Sequence, residues 1–207
     1  MRLKRIVVMI SGSGSNLQSI INAVNVGEIN AKISGVISDK EDVFGLKRAV
    51  KENIPFKVVS KKKSNSIDKF NTENLLAIEE YKPDLIVLAG YLSIIDEKII
   101  SKYRNKIINI HPSLIPSFCG KGYYGEKVHE GVIDYGTKLS GATTHFVDEG
   151  ADTGPVIMQK SIHVKDDDNA ESLAKRVLKI EHEILVKTVK CYCENRIKVI
   201  GRKVRIS

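Results

Sequence analysis

Asn109, Ile110 and His111 close a short apolar run, Ile107 to Ile110, that leads into the proline-bounded stretch Pro112 to Pro116. In an extended segment alternate side chains share a face, so Asn109 and His111 point one way while Ile110 turns toward the core. An amide N–H beside an imidazole can stabilise an oxygen on which negative charge develops, and the imidazole can also hand over a proton. A second candidate is the acidic, glycine-rich loop Asp148 to Pro155. A carboxylate from it lying close to His111 would favour the imidazolium and raise the histidine pKa; the same composition also fits a solvated turn. A third is Ser11-Gly12-Ser13-Gly14-Ser15-Asn16, between an apolar run and a helical pattern. Backbone N–H groups in such a turn, with the positive end of the following helix, suit a phosphate. This turn half-matches a dinucleotide fingerprint, with Asp39 where a ribose-binding acid would stand, although Leu17 occupies the position of the third glycine. A nucleotide- or NAD-binding module is therefore the alternative reading. Cys119, Cys191, Cys193, His129, His145, His163 and His182 lack metal-ligand spacing, and no metal is expected.

These residues need elements to position them. The continuous apolar run Ile6 to Ile10 reads as a strand buried on both faces, as in a parallel sheet. Leu17, Ile20, Ile21 and Val24 then fall on one face of a helix over Asn16 to Val24. The alternation continues with strands near Ile33 to Ser38, Lys57 to Val59, Leu85 to Ala89 and Ile107 to Ile110. Helices near Phe44 to Asn53, Asp68 to Tyr81 and Asp96 to Tyr103 separate them. This is the pattern of a doubly wound, mostly parallel α/β sheet. After His111 the glycines and prolines mark a long irregular connection, then a helix around Gly125 to Tyr135. Strands near Ala142 to Val147 and Val156 to His163 follow, with a hairpin as one option, which gives the C-terminal portion an antiparallel character. Asn169 is a candidate N-cap for an amphipathic helix running to Lys190, and Arg196 to Ile206 alternates around Gly201 as a terminal hairpin. One domain over residues 1–207 is expected.

The chain carries a formal charge of +8, which favours anionic partners without choosing among them. Only Lys61 to Lys63 form a basic run, which reads as a solvated loop, and no aromatic-rich RNA-binding signature accompanies it. Neither a nucleic-acid partner nor a membrane is expected, since no stretch approaches the roughly 20 apolar residues of a spanning helix. With no signal-peptide pattern and an odd number of cysteines, a cytoplasmic protein with reduced thiols is expected.

Taken together, Ile6 to Gln18, Pro83 to Tyr91, Asn109-Ile110-His111-Pro112-Ser113-Leu114-Ile115-Pro116, His145-Phe146-Val147 and Asp152-Thr153-Gly154-Pro155 resemble the glycinamide ribonucleotide formyltransferase family of purine biosynthesis. The resemblance covers essentially the whole chain. It implies a Rossmann-like formyltransferase fold and direct formyl transfer from 10-formyltetrahydrofolate, as co-substrate, to the amine of glycinamide ribonucleotide, without a metal. By the same resemblance Asn109, His111 and Asp152 are catalytic, with Asn109 and protonated His111 at the oxyanion and Asp152 keeping His111 charged. Gly14, Ser15 and Asn16 would hold the ribotide phosphate, and Glu181 would receive the glycinamide amine; on sequence pattern alone Glu181 equally fits a helix-surface carboxylate. Leu92, Ser93, Ile94 and Ile95 would lie against folate, with Asn109 and backbone contacts from Asp148 to Asp152. The chain departs from the family at Ser93 and Ile67, where many members carry Arg, and in the loop Ser117 to Tyr124. A methionyl-tRNA formyltransferase would be expected to carry a further C-terminal domain, and a formyltetrahydrofolate deformylase an N-terminal one.

Overall fold

In a computed structural model of the chain, residues 2–207 are described. Nine strands and six helices appear among them, and seven of the strands form one sheet in the order β3-β2-β1-β4-β5-β6-β7. The chain divides into two compact units, the first ending at Ile108 and the second beginning at Asn109.

The first unit is the alternating α/β portion. β1 (Lys4–Ile10) lies between β2 (Ala31–Ser38) and β4 (Leu85–Leu88), parallel to both, and β2 pairs in parallel with β3 (Phe56–Val58). Ile6 to Ile10 are wholly inaccessible, as a strand covered on both faces requires. Each such side chain contributes about 1.5–3 kcal/mol by leaving water. The helices α1 (Ser15–Asn25), α2 (Phe44–Lys51), α3 (Ile67–Tyr81) and α4 (Glu97–Lys102) connect the strands. α1 buries Leu17, Ile20 and Ile21, the stripe its spacing predicts.

β5 (Ile107–His111) ends with the three residues that open the second unit. There α5 (Glu126–Tyr135) precedes β6 (Leu139–Phe146) and β7 (Val156–His163), which pair antiparallel, so the hairpin option is the one adopted. α6 (Ala170–Cys193) buries Leu173, Val177, Ile184, Leu185 and Val189. Asn169 is its N-cap: its side chain accepts from the Ser172 N–H while Ser172 Oγ accepts from the Asn169 N–H, a reciprocal arrangement in which the cap residue contributes about 1 kcal/mol. β8 (Ile197–Ile200) and β9 (Lys203–Ile206) form the terminal hairpin. Every strand and helix read from the sequence is present, with ends displaced by a few residues. No helix among the described residues is long and apolar enough to cross a membrane.

Candidate active site

β5 is extended, so Asn109 and His111 emerge on one face, and both meet Asp152 from the loop between β6 and β7. Asn109 Nδ2 lies 3.4 Å from Asp152 Oδ1, and His111 Nδ1 lies 3.6 Å from Asp152 Oδ2. The Gly120 N–H donates to the same Oδ2 at 2.9 Å. Asp152 itself takes a left-handed backbone conformation, φ 57°, which a short polar residue tolerates better than a branched one. Its loop is pinned at several points. Asp148 accepts from the Gly150 N–H and the Thr153 hydroxyl, and Arg202 donates to the Thr153 carbonyl at 2.9 Å. Gly154 passes so close to β6 that a Cβ there would sit 1.8 Å from the Phe146 carbonyl oxygen. On the other side of His111, the stretch after β5 is held by Thr143, whose hydroxyl donates to the Ser113 carbonyl at 2.6 Å and accepts from the Ile115 N–H.

A fourth polar side chain completes the cluster. His145, on β6 and 2% exposed, places Nε2 3.1 Å from Asn109 Nδ2 and 3.5 Å from Asp152 Oδ1. Its Nδ1 donates to the Phe146 carbonyl, which leaves Nε2 to accept from the Asn109 amide in the neutral ring. Sequence reasoning set His145 aside for want of metal-ligand spacing. The signal that could have found it is alternation, because Thr143 and His145 share a face of β6 and both are buried and polar. His129 on α5 was set aside on the same ground. It is 5% exposed, its Nδ1 has no hydrogen-bond partner, and burial together with the nearby His111 pushes its pKa down to about 4.

The electrostatics correct one expectation. Asp152 does raise the His111 pKa, as expected, but it does not keep the resting ring charged: burial outweighs it, and His111 falls below its ordinary value. Asp152 and the Phe118 carbonyl pull the other way, and His145 adds to the lowering. The reason is position: His111 is 5% exposed, and the hydration lost there outweighs the carboxylate 3.6 Å from Nδ1. The resting ring is thus neutral near pH 7, with the Nε2 proton donated to the Phe118 carbonyl at 2.9 Å. Asp152 goes the opposite way. Burial raises its carboxyl, but in the acid range where the carboxyl titrates, hydrogen bonding to protonated His145, the positive charge of protonated His111 and the Gly120 N–H together outweigh that and hold it at about 2.

Of the remaining residues singled out above, Glu181 lies on α6 in the second unit and is 8% exposed, which excludes the helix-surface reading. Asp148 braces its own loop through its side chain, as described. In the first unit, Gly14 caps α1 in the left-handed conformation, and a Cβ on it would come within 2.6 Å of Gly45 Cα. No side chain caps α1, which begins at Ser15 and Asn16. Arg48 stiffens the turn by donating to the Ser13 carbonyl and the Gln18 amide oxygen. Leu92 and Ile94 are exposed, Ser93 donates to Asp39, and Ile95 is turned into the core. No group of three or more potential metal ligands occurs among the described residues.

A strand-end Asn–His pair joined by a half-buried carboxylate offers hydrogen-bond donors and a proton carrier to a reacting oxygen. The chain belongs to the formyl transferase family, whose model matches residues 4–189. It is 39% identical over 198 residues to the chloroplastic phosphoribosylglycinamide formyltransferase of Arabidopsis thaliana, an alignment covering 95% of this chain and 68% of that one. It is 38% identical over 201 residues to the phosphoribosylglycinamide formyltransferase of Haemophilus influenzae, covering 95% and 91% of the two chains. Among solved structures, glycinamide ribonucleotide transformylase 1 from Symbiobacterium toebii superposes with a TM-score of 0.93 at 36% identity, over 99% of this chain and 94% of the other.

Proposed function

We propose that this protein transfers the formyl group of 10-formyltetrahydrofolate to the amine of N1-(5-phosphoribosyl)glycinamide, giving formylglycinamide ribonucleotide in de novo purine biosynthesis, with residues 1–207 working as one formyltransferase domain. The observation that carries this reading is the cluster of Asn109, buried His111 and half-buried Asp152 in a chain of the formyl transferase family. The partners are the two small molecules, and the reaction uses no metal.

The substrate amine attacks the formyl carbon and its oxygen becomes an oxyanion. The Asn109 Nδ2–H and the His111 Nε2–H are the two donors for that oxygen, so the His111 proton must leave the Phe118 carbonyl to serve it. Negative charge arriving beside His111 favours the imidazolium, and Asp152, ionised above about pH 2, stabilises the positive ring as it forms. The new C–N bond becomes permanent when the bond from the formyl carbon to the folate nitrogen breaks. The proton lost by the amine is then delivered to that nitrogen by His111 or by water held at Asp152. Gly14, Ser15 and Asn16 take the ribotide phosphate and Glu181 the glycinamide amine. Leu92, Ser93, Ile94, Ile95 and Asp148 lie along the folate.

The test combines 10-formyltetrahydrofolate and the glycinamide ribotide with the protein and follows both the folate product and the formylated ribotide. Stoichiometric appearance of the two is expected. Folate product formed without formylated ribotide would instead mark a hydrolase and overturn the transferase reading.

A further inference from the structure

The hairpin of β6 and β7 carries polar side chains on its strands as well as at its loop. Gln159 on β7 pairs with Thr143 on β6, and its Nε2 donates to Thr143 Oγ1 at 3.0 Å and to the Ile115 carbonyl at 2.9 Å. The buried Thr143 hydroxyl is thereby fully used, since it accepts from Gln159 and from the Ile115 N–H while its own proton goes to the Ser113 carbonyl. Both polar backbone groups of Ile115 are thus tied to the hairpin, one through Thr143 and the other through Gln159. Beside them Leu114 packs on Gly141, where an added Cβ would lie 2.8 Å from Leu114 Cδ2. Ser113, Leu114 and Ile115 are therefore seated together on the two strands.

That seat lies between His111 and the group that holds its proton. Ser113 Oγ donates to the Ser117 carbonyl at 2.6 Å, and the Ser117 N–H donates to the Leu114 carbonyl at 3.0 Å. The next residue, Phe118, presents its carbonyl to His111 Nε2 at 2.9 Å. The chain thus leaves His111, is anchored at Ser113 to Ile115, and returns to His111 at Phe118. A shift of the anchor moves the Phe118 carbonyl against the imidazole. That hydrogen bond is one of two influences that favour the charged ring; Asp152 is the other, while His145 on β6 and His129 on α5 are the remaining ionisable groups that interact with His111. Gln159 is exposed, and its hydrogen bonds go to Thr143 and Ile115 rather than to Asn109, His111 or Asp152. Its influence on the chemistry must pass through the anchored segment.

We propose that Gln159 is a positioning residue for the reaction: with Thr143 it fixes Ser113 to Ile115 and so keeps the Phe118 carbonyl and the His111 ring in register. The proposal rests on the formyl-transfer reading above. Two variants test it, Gln159→Leu and Gln159→Ala. Both are neutral, so a change in His111 titration reports geometry and not added charge, and both alter an exposed side chain, so the fold should survive with little change in Tm. In each, kcat should fall by about threefold to tenfold, the size that two partly exposed hydrogen bonds allow, while KM for both substrates stays within about twofold. Histidine titration by NMR, which needs no turnover, should show the His111 pKa lower than in the unaltered protein, because the Phe118 carbonyl no longer holds the ring as well. An unchanged kcat would overturn the proposal, as would a fall in kcat with an unchanged or raised His111 pKa, since a merely structural loss gives that result. If the unaltered protein shows no formyl transfer, the titration alone decides: a lowered His111 pKa upholds the positioning and sinks the catalytic reading, and an unlowered one overturns the positioning as well.

Discussion

At the scale of single residues, the proposed centre rests on two donors and one carboxylate in unlike electrostatic states. Removing either proposed oxyanion donor, by Asn109→Ala or His111→Ala, should lower kcat by about 10²–10³-fold with a smaller change in KM. Histidine titration by NMR should give His111 a pKa below 6.5, and Asp152→Asn should lower it further, because the carboxylate is the principal group that opposes the effect of burial. A His111 pKa above 7 in the unliganded protein would contradict the account of the resting ring. His129 makes a separate prediction about stability. Its folded pKa of about 4 lies under the unfolded value near 6.5, so the unfolded chain binds the proton first and stability is lost as pH falls through that interval. The loss should approach about 3 kcal/mol by pH 4 in denaturant titrations, and His129→Gln should remove that part of the pH dependence. The pairing of Asn109 with His111 was legible from strand alternation alone. The neutrality of His111 was not, because burial depends on what the rest of the chain brings around it.

At the scale of elements, the site belongs as much to the β6–β7 loop as to β5. Gly154→Ala should be among the most damaging substitutions in the second unit, since the added methyl overlaps the Phe146 carbonyl and the loop must move to relieve it. Activity should fall while thermal unfolding shows a modest decrease in Tm; unchanged kinetics would mean that the loop does not position Asp152. Arg202→Ala, which removes only the bond to the Thr153 carbonyl, should act in the same direction more weakly, within about tenfold in kcat. The strands and helices were readable because each is a local pattern: Ile6 to Ile10 for a strand covered on both faces, Asn169 for a helix start. Loops carry no such periodicity. Asp152 was supported by family likeness rather than by any local rule, and Arg202 gave no sign of its reach, since its partner stands 49 positions earlier in the chain.

At the scale of the whole molecule, the +8 charge reads differently once the lysines are located. Part of it is spent in surface pairs such as Lys160 with Glu183 and Lys187 with Glu183, which contribute about 0–1 kcal/mol each. Lys61 and Lys62 are not so engaged, and a charge-only description could not have separated the two groups. The whole chain also contains no tryptophan. That bears on the Phe118 contact described above: its carbonyl holds the His111 proton, and its ring stands edge-on to Tyr123 at 5.8 Å and Tyr135 at 5.9 Å. In the proposed mechanism, freeing His111 for a substrate breaks a bond to the residue that carries this ring. A single Phe118→Trp substitution would therefore install the chain's sole indole fluorophore one backbone carbonyl away from His111, where its emission should report the release of His111 that the proposed mechanism requires.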